Sequence, residues 1–417
     1  PLAQFWAERL RAHGYPTLIV FDPSGKELLR LPPSGLPVHR YTELLTTAFR
    51  SQRPLSELTS VASAWRLDLN ADDVRRLAFH SWGQELVLGA GPQRVGLMRR
   101  LRAAIPVEYA DESVRLDFWY VLSCARSGEN SEQAFALRQF AQSLESEHAS
   151  FANQYECLVD CRAVLDYLAR EDCDLHVQLA RRWRGNVERL LVAERLGTTE
   201  RLIALFAAVQ LASVSGTERD ALHESARAAA LAADRELTDP SDRQSALNMA
   251  GYLLWEIGTY SEADALFRSA IERSAAPAYF MQPYARFLRE RGDLEGALTW
   301  LARATHESAG PATRLTVFSK YLSALIELRG RRASVIEQET TIQLEALRET
   351  EGMFCGRCHD ALKHMVAILG AWGVQHDQHA TVRRIAALLK SVSLSDPIAV
   401  SREAGVAAAA RLLDSIH

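Results

Sequence analysis

The sequence has few cysteines, no surplus of basic residues and no long apolar run, and each of these features argues against a class of protein. Six cysteines among 417 residues are too few for a disulfide framework. The 48 Lys and Arg residues are balanced by 52 Asp and Glu residues, and the formal net charge of −4 argues against a dedicated nucleic-acid or anionic-membrane binder. The longest apolar run, residues 202–214, is interrupted by Gln210 and Ser213 and covers about 13 positions, whereas a transmembrane helix needs roughly 20.

The signatures of common enzymes are also absent. No P-loop, GxGxxG, HExxH, GxSxG or protein-kinase motif occurs. Acidic pairs such as Asp72-Asp73 fall in helix caps or on solvated helix faces, where exposed charge is the ordinary surface of a protein. We therefore assign no catalytic residue, no metal site and no cofactor from the sequence, and the oligomeric state stays open.

Proline divides the chain into two parts. Nine of the 14 prolines lie at or before Pro106, and none occurs in residues 107–239, which are rich in Ala, Leu, Arg and Glu. Because proline breaks helices, this second stretch predicts helix-loop-helix structure. The first fifty residues instead predict a β-hairpin, with strands at residues 17–21 and 27–31 around an Asp-Pro-Ser-Gly turn, flanked by amphipathic helices at residues 2–12 and 38–49.

Three consecutive segments carry a family resemblance: GYPT at residues 14–17, LIVFD at 18–22 and PSGKE at 23–27. They resemble the second half of the thioredoxin fold, with its cis-proline loop, two antiparallel strands and closing helix. The resemblance implies that the Tyr15-Pro16 bond is cis and that this pair presents backbone groups to a substrate peptide. It also implies that the family's Cys-x-x-Cys lies before Pro1, and so we expect a longer N-terminus. Extracytoplasmic relatives are common in this superfamily, which favours an extracytoplasmic location.

A 34-residue period occurs in the second half of the chain. Seven positions recur at this spacing with small or apolar residues in both copies: Gly251, Leu254, Gly258, Tyr260, Ala263, Phe267 and Ala270 match Ala285, Leu288, Gly292, Leu294, Ala297, Leu301 and Ala304. The spacing and the residue types resemble tetratricopeptide repeats, in which paired helices touch through small residues. The pattern weakens in a third helical pair at residues 313–330 and 333–350. Further irregular pairs upstream and a last helix within residues 398–416 are expected to complete the stack.

The resemblance implies that the first helix of each pair lines a concave surface. The outward positions on that lining are predicted to bind a protein or peptide client, and they are Asn248, Tyr252, Trp255, Gln282, Arg286 and Arg289. Aromatic and arginine side chains contribute most of the energy of protein interfaces, which favours this interpretation. The alternative is that they are ordinary solvated or partly packed side chains.

The Cys355-Gly-Arg-Cys358-His359 segment admits four interpretations. A helix beginning near Phe354 would place the two thiols at a helix N-terminus, as a redox pair requires. The motif also matches the attachment site of c-type haem, with His359 as an iron ligand. Zinc could be held by both thiols and two of three histidines, which are His364, His376 and His379. The fourth interpretation is a packed thiol and a solvent-facing imidazole, and Cys124, Cys157, Cys161 and Cys173 are likewise expected to be small core residues.

These features predict a mainly α protein in three parts. A partial thioredoxin-like α/β unit would occupy residues 1–50, a helical connector residues 51–110 and an α-helical TPR-like solenoid residues 111–417. The predicted function is that of a thioredoxin-family protein of the thiol-disulfide-exchange or protein-folding type, whose helical array binds its client. The alternative is a non-enzymatic protein-protein interaction scaffold with a redox-inactive thioredoxin-like unit.

Overall fold

The computed structural model describes residues 10, 18–31, 36, 38–63, 69–84, 92–106, 108–169, 171–216, 219–348 and 350–416. Contacts divide the chain into two compact units, an N-terminal unit of Gly14–Ala263 and a C-terminal unit that contains Asp264–His417. Within the described ranges the protein is mainly α-helical, with 20 helices and a single two-stranded sheet. None of the helices described is both long enough and apolar enough to cross a bilayer.

The N-terminal unit begins with the sheet and continues in helices. Strands β1 and β2 are Leu18–Phe21 and Glu27–Leu31. The first helices are α1 Val38–Ser51, α2 Leu55–Ser63, α3 Ala71–Ala78, α4 Pro92–Ala104, α5 Ala110–Ser127 and α6 Gln133–Glu145. They are followed by α7 Phe151–Val159, α8 Cys161–Ala169, α9 Cys173–Ala193, α10 Thr198–Ser215, α11 Asp220–Glu236 and α12 Pro240–Glu256. The described part of the proline-poor stretch thus consists of helices joined by short loops, as its composition predicts.

The boundary between the units falls within α13, Tyr260–Arg273. The remaining helices are α14 Ala278–Glu290, α15 Leu294–Glu307, α16 Pro311–Arg329, α17 Ala333–Ala346, α18 Gly356–Gln375, α19 His379–Leu394 and α20 Ala399–Asp414. In the C-terminal unit α16 packs on α18, and α17 packs on α19. Alternate helices therefore stack in two layers, as in a helical solenoid.

The predicted hairpin is confirmed. Leu18 pairs with Leu31 and Val20 with Leu29 in an antiparallel ladder. The Asp22 carboxylate closes the turn by accepting the backbone N–H of Lys26 at 2.9 Å, and Gly25 adopts a φ of 83° that favours glycine. The predicted helix at residues 38–49 is α1, whereas the one at residues 2–12 lies almost wholly outside the described residues. No third strand occurs in the described part of the chain, and the thioredoxin-like unit therefore stays a prediction.

A fully buried arginine attaches the hairpin to the helices. Arg76 on α3 donates through Nη2 to the backbone oxygens of Leu28 on β2 and of Arg53, and through Nη1 to Ser51 Oγ at 3.0 Å. Asp73, also fully buried, receives Arg53 Nη1 at 2.5 Å. A buried charge is tolerated when it is paired and hydrogen-bonded. Both Nη atoms of Arg76 donate and Asp73 Oδ1 lies 3.7 Å from Nη1, whereas Nε has no hydrogen-bond partner among the described residues.

One hydrophobic cluster of the N-terminal unit extends from Leu28 on β2 to Leu211 on α10. The hairpin leucines, including Leu29 and Leu31, therefore share a core with helices far along the sequence. The predicted boundaries at residues 50 and 110 stay a prediction. A second cluster lies within the C-terminal unit and extends from Ala285 to Ile416.

The 34-residue period recurs in the helix boundaries. Helix α12 ends at Glu256 and α14 at Glu290, while α13 and α15 run from Tyr260 to Arg273 and from Leu294 to Glu307. The turns also match, because Gly258 has a φ of 83° and Gly292 a φ of 85°. In each turn a backbone N–H returns to a leucine oxygen, Thr259 to Leu254 at 3.0 Å and Asp293 to Leu288 at 2.9 Å. The helical pairs α12–α13 and α14–α15 therefore share the same turn conformation and the same turn hydrogen bond.

Candidate functional site

Three groups of residues were predicted to carry function, and the structure describes two of them. The predicted substrate-contacting pair, Tyr15 and Pro16, lies outside the described residues. The outward residues of the repeats and the Cys355–Cys358 pair are both described, and each is treated within its own unit.

In the N-terminal unit, Asn248, Tyr252 and Trp255 follow one face of α12 and are half-buried. The Tyr252 and Trp255 rings stack with their centroids 5.9 Å apart and their planes at 28°. Asn248 Oδ1 is buried and has no hydrogen-bond partner among the described residues. These side chains are therefore partly packed against one another on α12. This observation does not decide between a client-binding surface and ordinary, partly packed side chains.

In the C-terminal unit, the predicted residues of α14 lie beside α16. Lys320 Nζ on α16 donates to Gln282 Oε1 at 2.8 Å, and Arg289 Nη2 lies 2.6 Å from Glu327 Oε2. Arg286 is exposed and pairs with Glu290 on its own helix at 2.9 Å. We call this surface the α14–α16 face, and it consists of Gln282, Arg286, Arg289, Thr316, Lys320, Ser323 and Glu327.

Lys320 has the most informative environment on the α14–α16 face. Its side chain is exposed, yet desolvation lowers its pKa below the ordinary lysine value. The pKa falls because desolvation disfavours the charged form of an amine. The hydrogen bond described for its Nζ goes to a neutral amide, Gln282.

Sequence reasoning missed Lys320 although the signal was present. The predicted residues of α12 and α14 are themselves 34 positions apart, as Tyr252 and Arg286 are. One more step of 34 leads from Arg286 to Lys320, and the same step from Gln282 and Arg289 leads to Thr316 and Ser323. All three residues reached on α16 are exposed.

The predicted Cys-x-x-Cys lies at a helix N-terminus. Cys355 is the N-cap of α18, and Cys358 is the third residue of that helix. The first turn is closed by a hydrogen bond from the His359 N–H to the Cys355 oxygen at 3.3 Å. Neither cysteine is in a disulfide; Cys355 is half-buried, whereas Cys358 is 4% exposed and belongs to the C-terminal hydrophobic cluster.

A buried carboxylate holds the chain that leads into this pair. Asp396 accepts the backbone N–H groups of Gly352 at 3.1 Å and Met353 at 3.2 Å, and that of Ile398 at 2.9 Å. Ser401 Oγ donates to Asp396 at 2.6 Å and accepts the Phe354 N–H at 2.8 Å. Burial acts to raise the pKa of Asp396, but the hydrogen bonds from Ser401 and from the backbone lower it overall. We call this arrangement the Asp396 clasp.

The zinc interpretation lacks a ligand set. In the part of the chain that the structure describes, no three His, Cys, Asp or Glu side chains are placed together to hold a metal ion. Cys355 and Cys358 thus do not converge with His364, His376 or His379. The haem interpretation stays a prediction.

The other four cysteines divide into two kinds. Cys124, Cys157 and Cys161 are buried, and burial raises the pKa of all three thiols, for Cys124 to about 11. They are core residues, as predicted. The same expectation is wrong for Cys173, which is exposed because it is the first residue of α9 and precedes the part of that helix that packs.

Two cavities of the N-terminal unit lie apart from the predicted sites. One of about 270 Å³ lies among α4, α5 and α6 and is lined by Arg102, Asp117 and Tyr120, among others. Its polar groups are paired, since Arg102 Nε lies 2.7 Å from Asp117 Oδ1 and Tyr120 donates to Glu132 at 2.5 Å. The other, about 400 Å³, has Glu194 on its wall, and that carboxylate accepts the Phe151 N–H at 3.1 Å. Desolvation raises the pKa of Asp117 and that of Glu194, and the hydrogen bonds that both carboxylates accept act in the opposite direction.

Comparison with family models, with curated proteins and with solved structures gives no match to this chain.

Proposed function

We propose that the protein is a helical-repeat scaffold that binds an acidic segment of a partner protein on the α14–α16 face. The observation that carries this proposal is the environment of Lys320, an exposed lysine whose Nζ donates to the neutral amide of Gln282. The tetratricopeptide resemblance supports it, because such arrays bind peptides with the first helices of their pairs.

The charge of Lys320 selects the chemistry of the partner. A carboxylate placed against Nζ would form a hydrogen bond in which both partners are charged, which is stronger than the bond from the ammonium to the neutral amide of Gln282. The two arginines of the face, Arg286 and Arg289, already have the carboxylates Glu290 and Glu327 as partners. The partner's carboxylate is therefore expected at Lys320.

The hydroxyl residues of the face suit an extended peptide. Thr316 and Ser323 are exposed on α16 on either side of Lys320, and both are small. Each hydroxyl already donates to its own helix, Thr316 to Ala312 and Ser323 to Ser319, and keeps acceptor capacity for a peptide N–H. A backbone can therefore approach closely on both sides of the ammonium.

The test is selection from a displayed library of random peptides, followed by affinity measurement with the synthetic peptides selected. We expect peptides rich in Asp and Glu, and an affinity at least tenfold lower for Lys320→Met. The matched control is Lys390→Met, which removes an exposed lysine from α19, outside the face, and should bind like the parent protein. Equal binding by the Lys320 and Lys390 variants, or selection of peptides without acidic residues, would overturn the proposal.

The hairpin favours a second candidate function. The order β1, β2, α1 agrees with what the thioredoxin resemblance implies for residues 1–50. In this candidate the chain takes part in thiol-disulfide exchange, Tyr15 and Pro16 contact the client, and the redox cysteines lie upstream of Pro1. Its test is a disulfide-reduction assay of the chain extended upstream, with a variant in which both upstream cysteines are serine. Equal activity of the two proteins, or an upstream region without a cysteine pair, would exclude it.

A further inference from the structure

We propose that Cys355 and Cys358 form a reversible disulfide across the first turn of α18, so that this turn is a redox modification site. The proposal is independent of the peptide-binding function and of the thioredoxin-like resemblance. It rests on three features of the described residues: the positions of the two thiols, their unequal exposure and the fixed backbone that precedes them.

The positions of the thiols suit a short disulfide, because one cysteine is the N-cap and the other the third residue of α18. In a regular α-helix residues three apart have Cα atoms about 5 Å from one another, and the hydrogen bond from the His359 N–H to the Cys355 oxygen closes a turn of this kind here. A disulfide joins Cα atoms roughly 4.4–6.8 Å apart. Side chains at the N-cap and at the third helical residue face each other, as capping boxes show, and these are the positions of Cys355 and Cys358.

Gly356 makes the turn between the thiols. Its φ of 57° lies in the left-handed region, where a residue with a Cβ would be strained. The chain can therefore change from the extended conformation of Cys355, with φ −109° and ψ 167°, directly into the helix. Cys355 is thus the last extended residue before the first turn of α18.

The exposure of the thiols assigns their roles. Cys355 is half-buried and reaches solvent, so it is the thiol that meets an oxidant. Cys358 packs in the hydrophobic cluster at 4% exposure and is reached only from within the protein. One accessible and one enclosed thiol is the arrangement of an attacking and a resolving cysteine.

The Asp396 clasp keeps the backbone in place in both redox states. It fixes the N–H groups of Gly352 and Met353, the residues just before the pair, while the helix fixes the residues after it. Because a disulfide across one helical turn closes a very short loop, it does not require another element to move. Oxidation therefore changes the surface at Cys355 without unfolding the unit.

The co-reactant is a low-molecular-weight disulfide, R–S–S–R. The Cys355 thiolate attacks one of its sulfurs, which forms a mixed disulfide and releases R–S⁻. The Cys358 thiolate then attacks the Cys355 sulfur, which forms the internal disulfide and releases the second R–S⁻. The two protons lost by the cysteines are taken up by the two released thiolates, and the two electrons lost by the cysteines reduce R–S–S–R. A dithiol reverses the sequence.

The test exploits Arg357, which lies between the two cysteines. The native protein is treated with oxidised glutathione, alkylated and digested with trypsin, which cleaves after Arg357. Reduced cysteines appear in two separate peptides, residues 349–357 and 358–363. The internal disulfide holds these peptides together, at a mass lower by two hydrogen atoms than the sum of the reduced pair. We expect the linked species, and its loss on treatment with dithiothreitol.

Two variants and one internal control complete the test. Cys358→Ser should retain glutathione on Cys355 as a stable mixed disulfide, and Cys355→Ser should leave Cys358 unmodified in the folded protein. Cys173, an exposed cysteine that also begins a helix, should carry glutathione without forming a cross-link. The measurement on the unaltered protein needs no variant, so poor folding of a variant does not affect it. Separate adducts on Cys355 and Cys358, or two free thiols at every glutathione ratio, would overturn the proposal.

Discussion

Lys320 on α16 donates a hydrogen bond from Nζ to Oε1 of Gln282 on α14, and the two atoms are 2.8 Å apart. The bond joins the first helices of two successive pairs on the face that we propose for peptide binding. Its acceptor is neutral, so the ammonium keeps its full charge toward a ligand. The residue at position 282 therefore controls how strongly Lys320 attracts a carboxylate.

Replacing Gln282 by Glu supplies that carboxylate from within the protein. We expect Gln282→Glu to bind acidic peptides at least tenfold more weakly, while the free energy of unfolding changes by no more than about 1 kcal/mol, the usual value of an exposed ion pair. Peptide titrations and denaturant unfolding measure the two quantities. The control is Gln375→Glu, which introduces the same charge at an exposed position of α18. An unchanged affinity for Gln282→Glu would contradict the role of Lys320.

The Asp396 clasp predicts an acid-sensitive contribution to stability. At pH 7 we expect Asp396→Asn to lower the free energy of unfolding by about 1–3 kcal/mol, because an amide presents N–H groups where the clasp needs acceptors. The pKa of Asp396 is lower in the folded protein than the roughly 3.9 of an unfolded aspartate. Between these two values the unfolded chain binds more protons, and the contribution falls as the pH falls.

The measurement is denaturant unfolding of both proteins from pH 7 to pH 3. The difference between them should stay constant above about pH 5 and shrink below about pH 4. The matched control is Asp414→Asn, which removes an exposed carboxylate from α20 and should change stability by less than about 0.5 kcal/mol. A difference that does not depend on pH would show that the Asp396 carboxylate is not the group that titrates.

The buried contacts of Arg76 between the hairpin and the helices are expected to contribute to the free energy of unfolding. Arg76→Met should lower the free energy of unfolding by roughly 3–5 kcal/mol, because it leaves the backbone oxygens of Leu28 and Arg53 without their donor and removes a charge partner of the buried Asp73. Arg50→Met is the matched control, since Arg50 is exposed and lies 3.4 Å from Asp72, and it should cost less than about 1 kcal/mol. Denaturant unfolding gives both values. Similar losses for the two variants would mean that the buried contacts of Arg76 contribute little.

The matching turns of the repeat make a third stability prediction. Alanine at Gly258 or Gly292 should cost about 1–2 kcal/mol, because both residues have φ values above 80° and an L-residue is strained there. Gly185 lies exposed in the middle of α9 with open space around its α-carbon. Alanine at that position should stabilise the protein by up to about 1 kcal/mol through helix propensity. Opposite signs for the turn and helix positions in thermal unfolding would confirm the assignment, and equal signs would contradict it.

Local patterns predicted local structure well. The hairpin, α1 and the helices of the proline-poor stretch follow from turn residues, residue spacing and the absence of proline. The 34-residue period, noted from seven sequence positions, recurs in the ends of α12 and α14 and in the turns at Gly258 and Gly292. In each of these cases the contacts that determine the structure join residues close to one another in the sequence. Local sequence patterns are therefore enough to predict them.

Long-range contacts could not be predicted in the same way. Arg76 and Leu28 are 48 positions apart, and no spacing rule connects a helical arginine to a strand oxygen. The clasp is similar, because Asp396 resembles an ordinary residue before a helix until the packing of the chain brings Gly352 to it. Lys320 is different, since the period already led to it; the prediction stopped one step early because the small residues of the repeat are lost in the third pair.

The Asp396 clasp also has a consequence for synthesis of the chain. The Gly352 N–H meets its acceptor 44 positions further along the chain, and the Phe354 N–H is bonded by Ser401, 47 positions along. During translation, the backbone before Cys355 therefore cannot form these hydrogen bonds until Asp396 and Ser401 have been synthesised. Until then Cys355 and Cys358 are more open to chance oxidation than they are in the finished molecule.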